Sequence, residues 1–486
     1  MSPLLLLWAC TGGADDSAAT GPARPFPEGF AWGASMAGFQ VDPGCPTIPA
    51  EDCEDRHSDW YVWVTDPELV ADPSTYLSGQ PLSDGPGHFE LYAQDFARAR
   101  DELHLSALRN SLEWGRLFPQ DPGDAVASVD ELAAFADPQA VASTHAYLQA
   151  MRAAGLEPMI TLNHYTIPTW LHDAKACHAD LSTCEDKGWV DRDRFLHHIA
   201  LYAGFCAREF GDEIDLWLTL NEPLAVVLSG YLMPGEDRSN PPGIFDPDAA
   251  FGVLLAQIEA HALMYDAIHQ HDAVAQVGAA PNLAAVTPSV PGDADDELGA
   301  EHFQYLYNRL FLNGTVHGEW DADLDGVVDQ VREDLVGRTD FIGVNYYTRI
   351  TVDGLGFPVF SNSPIFDFLP VGGFWEAYPQ GMTEVMDVAD DYGLPIYITE
   401  NGTSTWTGDP TADFLLPHLQ ALADGMDAGA DVRGYFYWSL LDNYEWNHGM
   451  DMEFGLYDVD EVDKSRTLRP MGADYAGIAW ANGLPE

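Results

Sequence analysis

Eight times between positions 30 and 440 the chain passes through a short apolar, strand-like run. The runs fall at 30–35, 107–114, 158–164, 216–221, 276–281, 340–346, 395–400 and 434–440, with stretches of helical periodicity at 89–103, 140–154, 194–210, 249–270, 382–392 and 413–428. Apolar runs that do not alternate with polar residues are typical of strands covered on both faces, and their interleaving with helices predicts βα units around a parallel sheet. Eight such units predict a single (β/α)8 TIM barrel with extended loops at the C-terminal face of its strands, where the active site of that architecture lies. A chain of 486 residues, 46% of them apolar, can bury the core this requires.

The predicted strand ends are chemically unusual. Ile396-Tyr-Ile-Thr-Glu400-Asn-Gly402 stops on a carboxylate and a glycine, and Leu216-Trp-Leu-Thr-Leu-Asn221-Glu222-Pro223 stops on a carboxylate followed by a residue that breaks the ladder. Other runs end on Arg109, Ser111 and Trp114, on Asn163-His164, on Asn345-Tyr346-Tyr347 and on Trp438-Ser439. Each glutamate alone reads more readily as an ordinary solvated strand terminus. Two together suit glycoside hydrolysis, in which one acid protonates a poor leaving oxygen while the other meets the developing oxocarbenium centre. Amide, imidazole and flat aromatic groups around them are what a sugar needs for hydrogen bonding and stacking.

Charge narrows the partners. With 78 acidic against 21 basic residues the formal net charge is −57, a surface that repels nucleic acid and anionic lipid headgroups and suits a secreted or salt-tolerant protein. The start, Met1-Ser-Pro-Leu-Leu-Leu-Leu-Trp-Ala-Cys10, resembles a bacterial lipoprotein signal with Cys10 as the lipidated residue, followed by a tail rich in Gly, Ala, Asp and Ser. It lacks a basic residue before the apolar run and is too short to span a bilayer. Residues 1–25 are therefore expected to be a leader and flexible tail, residues 26–486 the catalytic barrel, and the location extracytoplasmic, with any membrane attachment made through an N-terminal lipid. Cys45 with Cys53 and Cys177 with Cys184 are candidate short-loop disulfides, as such a compartment permits, and Cys206 on an apolar helical stretch reads as a buried thiol.

Seven segments occur in an order that resembles glycoside hydrolase family 1, the β-glucosidase and β-galactosidase family. They are FPEGFAWGASMAGFQ from Phe26, LRNSLEWGRLFP from Leu108, TLNHYTIPTWLHD from Thr161, TLNEP from Thr219, DFIGVNYYTR from Asp340, YITENG from Tyr397 and YWSLLDNYEW from Tyr437. The run from Ser58 to Val64, the SGQPLSDGP loop and NPPG at 240–243 resemble the archaeal-type β-glycosidase branch. The resemblance implies Glu222 as acid/base and Glu400 as nucleophile of a retaining exo-β-glycosidase, their carboxyls roughly 5 to 5.5 Å apart. It implies Arg109, Tyr347 and Asn345 as supports, the guanidinium holding Glu400 ionised. Gln40, His164, Asn221, Glu445 and Trp446 would grip the terminal sugar, with Trp438 as its floor. Glu445 implies unphosphorylated glycosides, and the resemblance as a whole implies terminal glucosyl, galactosyl or fucosyl groups. A transglycosylase on the same site and a catalytically silent sugar-binding surface lipoprotein are the competing readings.

Two departures stand out: Tyr165 where the family commonly has Trp, and Val41-Asp42-Pro43 where it has Glu-Gly. Separately, Asp321, Asp323, Asp325, Val327 and Asp329, with Gly326 between them, follow the spacing of a calcium loop, although Arg332 stands where the bidentate acid belongs. Any such ion would be structural, because the two-carboxylate mechanism needs no cofactor.

Overall fold

The computed structural model describes residues 22–360, 363–372, 375–404 and 412–485. Eight parallel strands form the barrel: β1 Ala31–Ser35, β2 Ala107–Ser111, β3 Glu157–Asn163, β4 Leu216–Asn221, β5 Gln276–Ala280, β6 Phe341–Gly354, β7 Ile396–Asn401 and β8 Val432–Trp438. Neighbours pair in chain order, β8 returns to β1 through Phe436↔Gly33, and β5 joins β6 through Phe341↔Gly278, which closes the ring. Eight helices cover it: α1 His88–Ala97, α2 Pro138–Ala153, α3 Arg192–Phe210, α4 Pro247–His271, α5 Ala294–Gln304, α6 Gln380–Asp390, α7 Ala412–Ala428 and α8 Pro470–Ala481. The expected barrel is thus the observed one.

The helix starts are written locally. Asp137-Pro138 and Asp246-Pro247 place an aspartate at the N-cap and a proline at the first helical position; Asp137 accepts from the N–H groups of Gln139 and Ala140, and Asp246 from that of Ala249. That pairing satisfies donors left free at a helix start while the proline ring presets φ.

Side-chain period along the strands divides the barrel interior into layers. Ala107, Met159, Leu218, Ala280, Phe341 and Phe436 form an apolar cluster of their own. Two residues further along β2, β3 and β7 the same face carries Arg109, Thr161 and Thr399, and four residues beyond Phe341 it carries Asn345. The period of two puts these polar groups directly above the apolar layer. Water is excluded below, and hydrogen-bonding capacity collects above.

Three features depart from expectation. The strand that begins at Phe341 runs on to Gly354, because its second half pairs outside the barrel with Asn282–Pro288 and Phe368–Gly372. β2 ends at Ser111 and not at Trp114: Trp114 opens a short helix and stacks on Tyr202 of α3 at 4.7 Å, while Ser111 donates to Glu113, so neither belongs to the sugar site. Arg24–Pro25 also pair antiparallel with Gly483–Leu484, and Asn482 donates to the carbonyl of Phe26, so residues ahead of position 26 contact the barrel unit. Cys45–Cys53 and Cys177–Cys184 are disulfides and Cys206 is a buried free thiol. Cys10 lies outside the described residues.

Candidate active site

A cavity of about 370 Å³ opens at the C-terminal ends of the strands and is lined by Glu222 and Glu400 together with His164, Asn221, Tyr347, Trp438, Glu445 and Trp446. Glu400 is the penultimate residue of β7, and the residues after it hold it in place. Asn401 donates to the Tyr346 carbonyl at 2.7 Å and accepts from Tyr435 at 2.8 Å. Gly402 then passes so close to β8 that a Cβ would lie 1.9 Å from the Trp438 carbonyl oxygen, which restricts that position to glycine.

Glu222 leaves β4 in the left-handed region at φ 43°, immediately before Pro223 starts the helix Pro223–Val227. Its N–H donates to the Ala280 carbonyl at 2.9 Å. A non-glycine residue held there is strained, a cost found where the surrounding structure fixes a functional side chain.

One network joins the two acids. Arg109 donates to Glu400 Oε1 at 2.5 Å, to Asn221 Oδ1 at 2.6 Å and to Thr161 at 3.1 Å. Tyr347 donates to Glu400 Oε2 at 2.5 Å. Asn345 donates to Glu222 Oε1 at 3.0 Å and to Asn221 Oδ1 at 3.0 Å, while its own oxygen accepts from Thr399 at 2.7 Å. The other oxygen of Glu222 accepts from the Tyr165 hydroxyl. Arg109 is fully buried, so its charge needs the carboxylate, and removing either partner would strand the other.

Electrostatics distinguish the two acids and correct one expectation. Burial pushes Glu400 up to about 7 and the Glu222 carboxylate adds to the rise, outweighing the downward pull of Arg109 and Tyr347. The guanidinium therefore limits the rise without holding Glu400 in the ordinary carboxylate range. Glu400 nonetheless has a cation against it, whereas the hydrogen-bond donors at Glu222 are the neutral Asn345 and Tyr165. Burial lifts the Tyr347 and Tyr165 phenols well above their usual range, each with its neighbouring glutamate adding to the effect, so both donate as neutral hydroxyls.

The sugar-facing side groups are oriented from behind. His164 Nε2 lies 3.1 Å from the Asn221 amide nitrogen, which donates to it, and burial with the Arg109 and Arg238 charges drives the imidazole well below its usual pKa. The ring is neutral with its proton on Nδ1, a buried atom with no hydrogen-bond partner among the described residues. Trp438 and Trp446 stack near it, with ring centroids 5.9 Å from the imidazole in both cases. Gln40 is fully buried behind Glu445, donating to it at 2.7 Å and to Asn443 at 2.9 Å, and its Oε1 has no partner.

Two further wall residues carried no signal in the amino-acid pattern. Arg238, on the irregular segment ahead of the Asn240–Gly243 turn, reaches Glu445 Oε1 at 2.9 Å and leaves a buried Nη1 without a partner. Trp375 reaches the cavity beside Tyr347, their ring centroids 6.0 Å apart. Both come from loops without periodicity. Tyr165 was visible only as a departure from pattern, and its bond to Glu222 gives that departure a place.

The calcium-like loop is tied largely to itself. Asp321 accepts from the N–H groups of Asp325 and Gly326 and from Tyr305, Asp325 accepts from the N–H of Val327, and Asp329 accepts from that of Ala322. Asp321, Asp323 and Asp325 still bring three carboxylates within reach of one point, whereas Arg332 turns away to Glu259 and Asp334.

Comparison with known proteins gives a consistent result. The sequence profile of glycosyl hydrolase family 1 matches residues 23–484. A β-galactosidase of Pyrococcus woesei is 32% identical, with 95% of this chain and 98% of that protein covered. The crystal structure of the β-glycosidase from the hyperthermophile Thermosphaera aggregans superposes with a TM-score of 0.83 at 28% identity over 95% of this chain and 98% of that one. Fpglu1 from Fervidobacterium pennivoraus gives 0.82 at 30% identity, covering 94% and 96%.

Proposed function

Because the chain belongs to glycosyl hydrolase family 1 and is a glycoside hydrolase of the β-glucosidase and β-galactosidase kind, we propose that it is a retaining exo-β-glycosidase removing terminal glucosyl, galactosyl or fucosyl groups. The observation that carries this reading is the Asn345 and Arg109 network, which holds Glu222 and Glu400 over one cavity with a cation hydrogen-bonded to Glu400 alone of the two.

In the first displacement, ionised Glu400 attacks the anomeric carbon while Glu222 gives its proton to the glycosidic oxygen, and the aglycone leaves as an alcohol. A glycosyl ester to Glu400 remains. Water then enters, Glu222 takes one of its protons, the hydroxide attacks the anomeric carbon, and Glu400 departs as a carboxylate; two inversions give net retention. His164 offers Nδ1–H to a sugar hydroxyl, Glu445 accepts from others, and Trp438 and Trp446 supply apolar faces for the ring. A phosphate beside Glu445 would meet a carboxylate, so the sugar is unphosphorylated. Glu400→Ala should abolish turnover of a nitrophenyl β-glycoside, and added azide should restore part of it with an inverted glycosyl azide as product. Undiminished activity in that variant refutes the assignment.

We further infer an extracytoplasmic location, supported by two disulfides in short loops. Among the described residues no helix is long and apolar enough to cross a membrane, so lipidation of Cys10 is the proposed means of attachment. The mass of the mature N-terminus tests it. A structural calcium at Asp321, Asp323, Asp325, Val327 and Asp329 is supported by the three gathered carboxylates, and a melting temperature unchanged by a chelator removes it.

A further inference from the structure

A third buried glutamate stands outside the lining of the catalytic cavity. Glu113 follows the end of β2 and is 5% exposed. Its hydrogen-bond donors are all neutral: Oε1 accepts from the Phe39 N–H at 3.1 Å and from Ser111 at 2.8 Å, and Oε2 accepts from Thr166 at 2.8 Å. Burial pushes this carboxyl up to about 7, Asp55 adds to the rise, and Thr166, Ser111 and the Arg116 charge draw it back. A carboxyl placed here is costly, and what it gains is the capacity to accept from two separate loops.

Both loops carry sugar-facing groups. The first opens the short helix Gly38–Val41, whose N-cap Ala37 has no side-chain oxygen to offer; Ser111 accepts from the Gly38 N–H at 2.8 Å and Glu113 takes that of Phe39. The approach is close enough that a Cβ at position 38 would lie 2.6 Å from Glu113 Oε1. This helix bears Gln40, bonded to Glu445 at 2.7 Å, and Phe39, stacked on Trp446 with ring centroids 5.9 Å apart. The second loop is the turn after β3, closed by Asn163 donating to the Thr166 carbonyl at 3.0 Å and by the Thr166 N–H on the His164 carbonyl at 3.0 Å. It holds His164 and Tyr165. One buried side chain thus joins, from behind, the turn that carries His164 to the helix against which Glu445 and Trp446 rest.

On the reading of the cavity as the seat of a terminal sugar, we propose that Glu113 is a positioning residue whose hydrogen bonds lock the Gln40 and His164 loops in the register that grips the sugar hydroxyls. Without this brace each loop settles on its own packing, and the groups converging on the sugar no longer share one frame. The loss then falls on hydrogen bonds to ring hydroxyls, because Glu222 and Glu400 are held by Asn345, Arg109 and Tyr347, to which Glu113 makes no bond. Misplaced by a fraction of an ångström, such groups bind the sugar less well in the ground state and in the transition state alike.

The test compares the wild type, Glu113→Ala and Glu113→Gln on a nitrophenyl β-glycoside and on its analogues lacking one ring hydroxyl at a time, with inhibition by the free monosaccharide measured alongside. Glu113→Ala should lose about 10- to 100-fold in kcat/KM on the parent glycoside, the worth of one charged hydrogen bond to the sugar, and should raise the inhibition constant of the monosaccharide by a similar factor. On at least one analogue, the one whose missing hydroxyl the loops hold, the gap between variant and wild type should narrow to about twofold, the scatter of independent effects. Glu113→Gln keeps an acceptor for the Phe39 N–H and offers a donor that the Thr166 hydroxyl can accept, so it should recover most of the loss. Thr166→Val removes a single hydroxyl from the brace; it should show the same pattern at smaller size, and it carries the test if Glu113→Ala does not fold. A loss equal on every analogue, an inhibition constant that does not move, or a Glu113→Gln enzyme no better than Glu113→Ala overturns the proposal and leaves the proposed function standing. A wild type that cleaves none of the glycosides overturns the reading beneath both.

Discussion

Replacing Tyr347 by Phe isolates how the nucleophile is kept ionised. The phenol donates to Glu400 Oε2 at 2.5 Å and pulls that carboxyl down, against burial that has pushed it up to about 7. A hydrogen bond to a charged acceptor is worth about 1.5 to 3 kcal/mol, and at about 1.36 kcal/mol per pH unit its loss raises the titration by about one to two units. Because the bond favours the anion, its removal must shift the acidic limb of kcat/KM upward, from about 7 to about 8 or 9. At pH 7 the ionised fraction would fall roughly five- to fiftyfold by that shift. The assay is kcat/KM against pH on a dinitrophenyl β-glycoside, whose leaving group departs without a proton, so that Glu222 does not shape the limb. A variant that loses activity by the same factor at every pH, with the limb unmoved, refutes the claim that Tyr347 tunes Glu400. So does a variant indistinguishable from wild type.

Burial raises Asp55 from 3.8 to about 6, one of its oxygens is without a partner, and Asp42 and Asp59 add to the rise. Its ionisation therefore opposes folding: stability is full below about pH 4 and is lost as pH rises through about 6, by about 3 kcal/mol. Asp55→Asn should raise the Tm at pH 8 by about 3 °C, given about 2.1 cal/mol/K of unfolding entropy per residue, and leave it unchanged at pH 4; an equal shift at both pH values excludes the charge as its cause. Arg238→Met removes the guanidinium beside Glu445, and the lost charged hydrogen bond should raise KM about 10- to 100-fold with kcat less affected. A fall confined to kcat would place Arg238 in the chemical step instead. With a net charge of −57, salt that shortens the screening length from about 10 Å to about 3 Å should raise the Tm. A Tm that is flat or falls between 0.1 and 1 M salt counts against net repulsion at the surface.

The parts legible in the sequence were those whose physics is local. All eight barrel strands could be read because strands covered on both faces are largely apolar, even where polar groups such as Arg109–Ser111 of β2 interrupt them near the site, and the six expected helices because one face of each must be buried. The extension of β6 was not legible, because residues 347–354 are held by partners, Asn282–Pro288 and Phe368–Gly372, that carry no pattern until β6 is there to receive them. In the site, Glu222 and Glu400 were marked by abrupt strand ends. Trp114 was misassigned because an aromatic after a strand looks alike whether it faces a cavity or α3. Arg238 and Trp375 were missed because a loop residue's position depends on what the loop packs against. For Arg238 that is the segment near Asn447, which accepts from the N–H of Ser239 at 3.3 Å.

The pairing of Arg24–Pro25 with Gly483–Leu484 ties the two ends of the fold together on the side of the barrel where strands begin, six residues ahead of β1. The chain can therefore be joined end to end and reopened in a surface loop without crossing the ring of strands, which makes it a natural candidate for circular permutation. Any tether attached ahead of Arg24 pulls from the underside. The mouth of the barrel lies at the opposite end, clear of that attachment point.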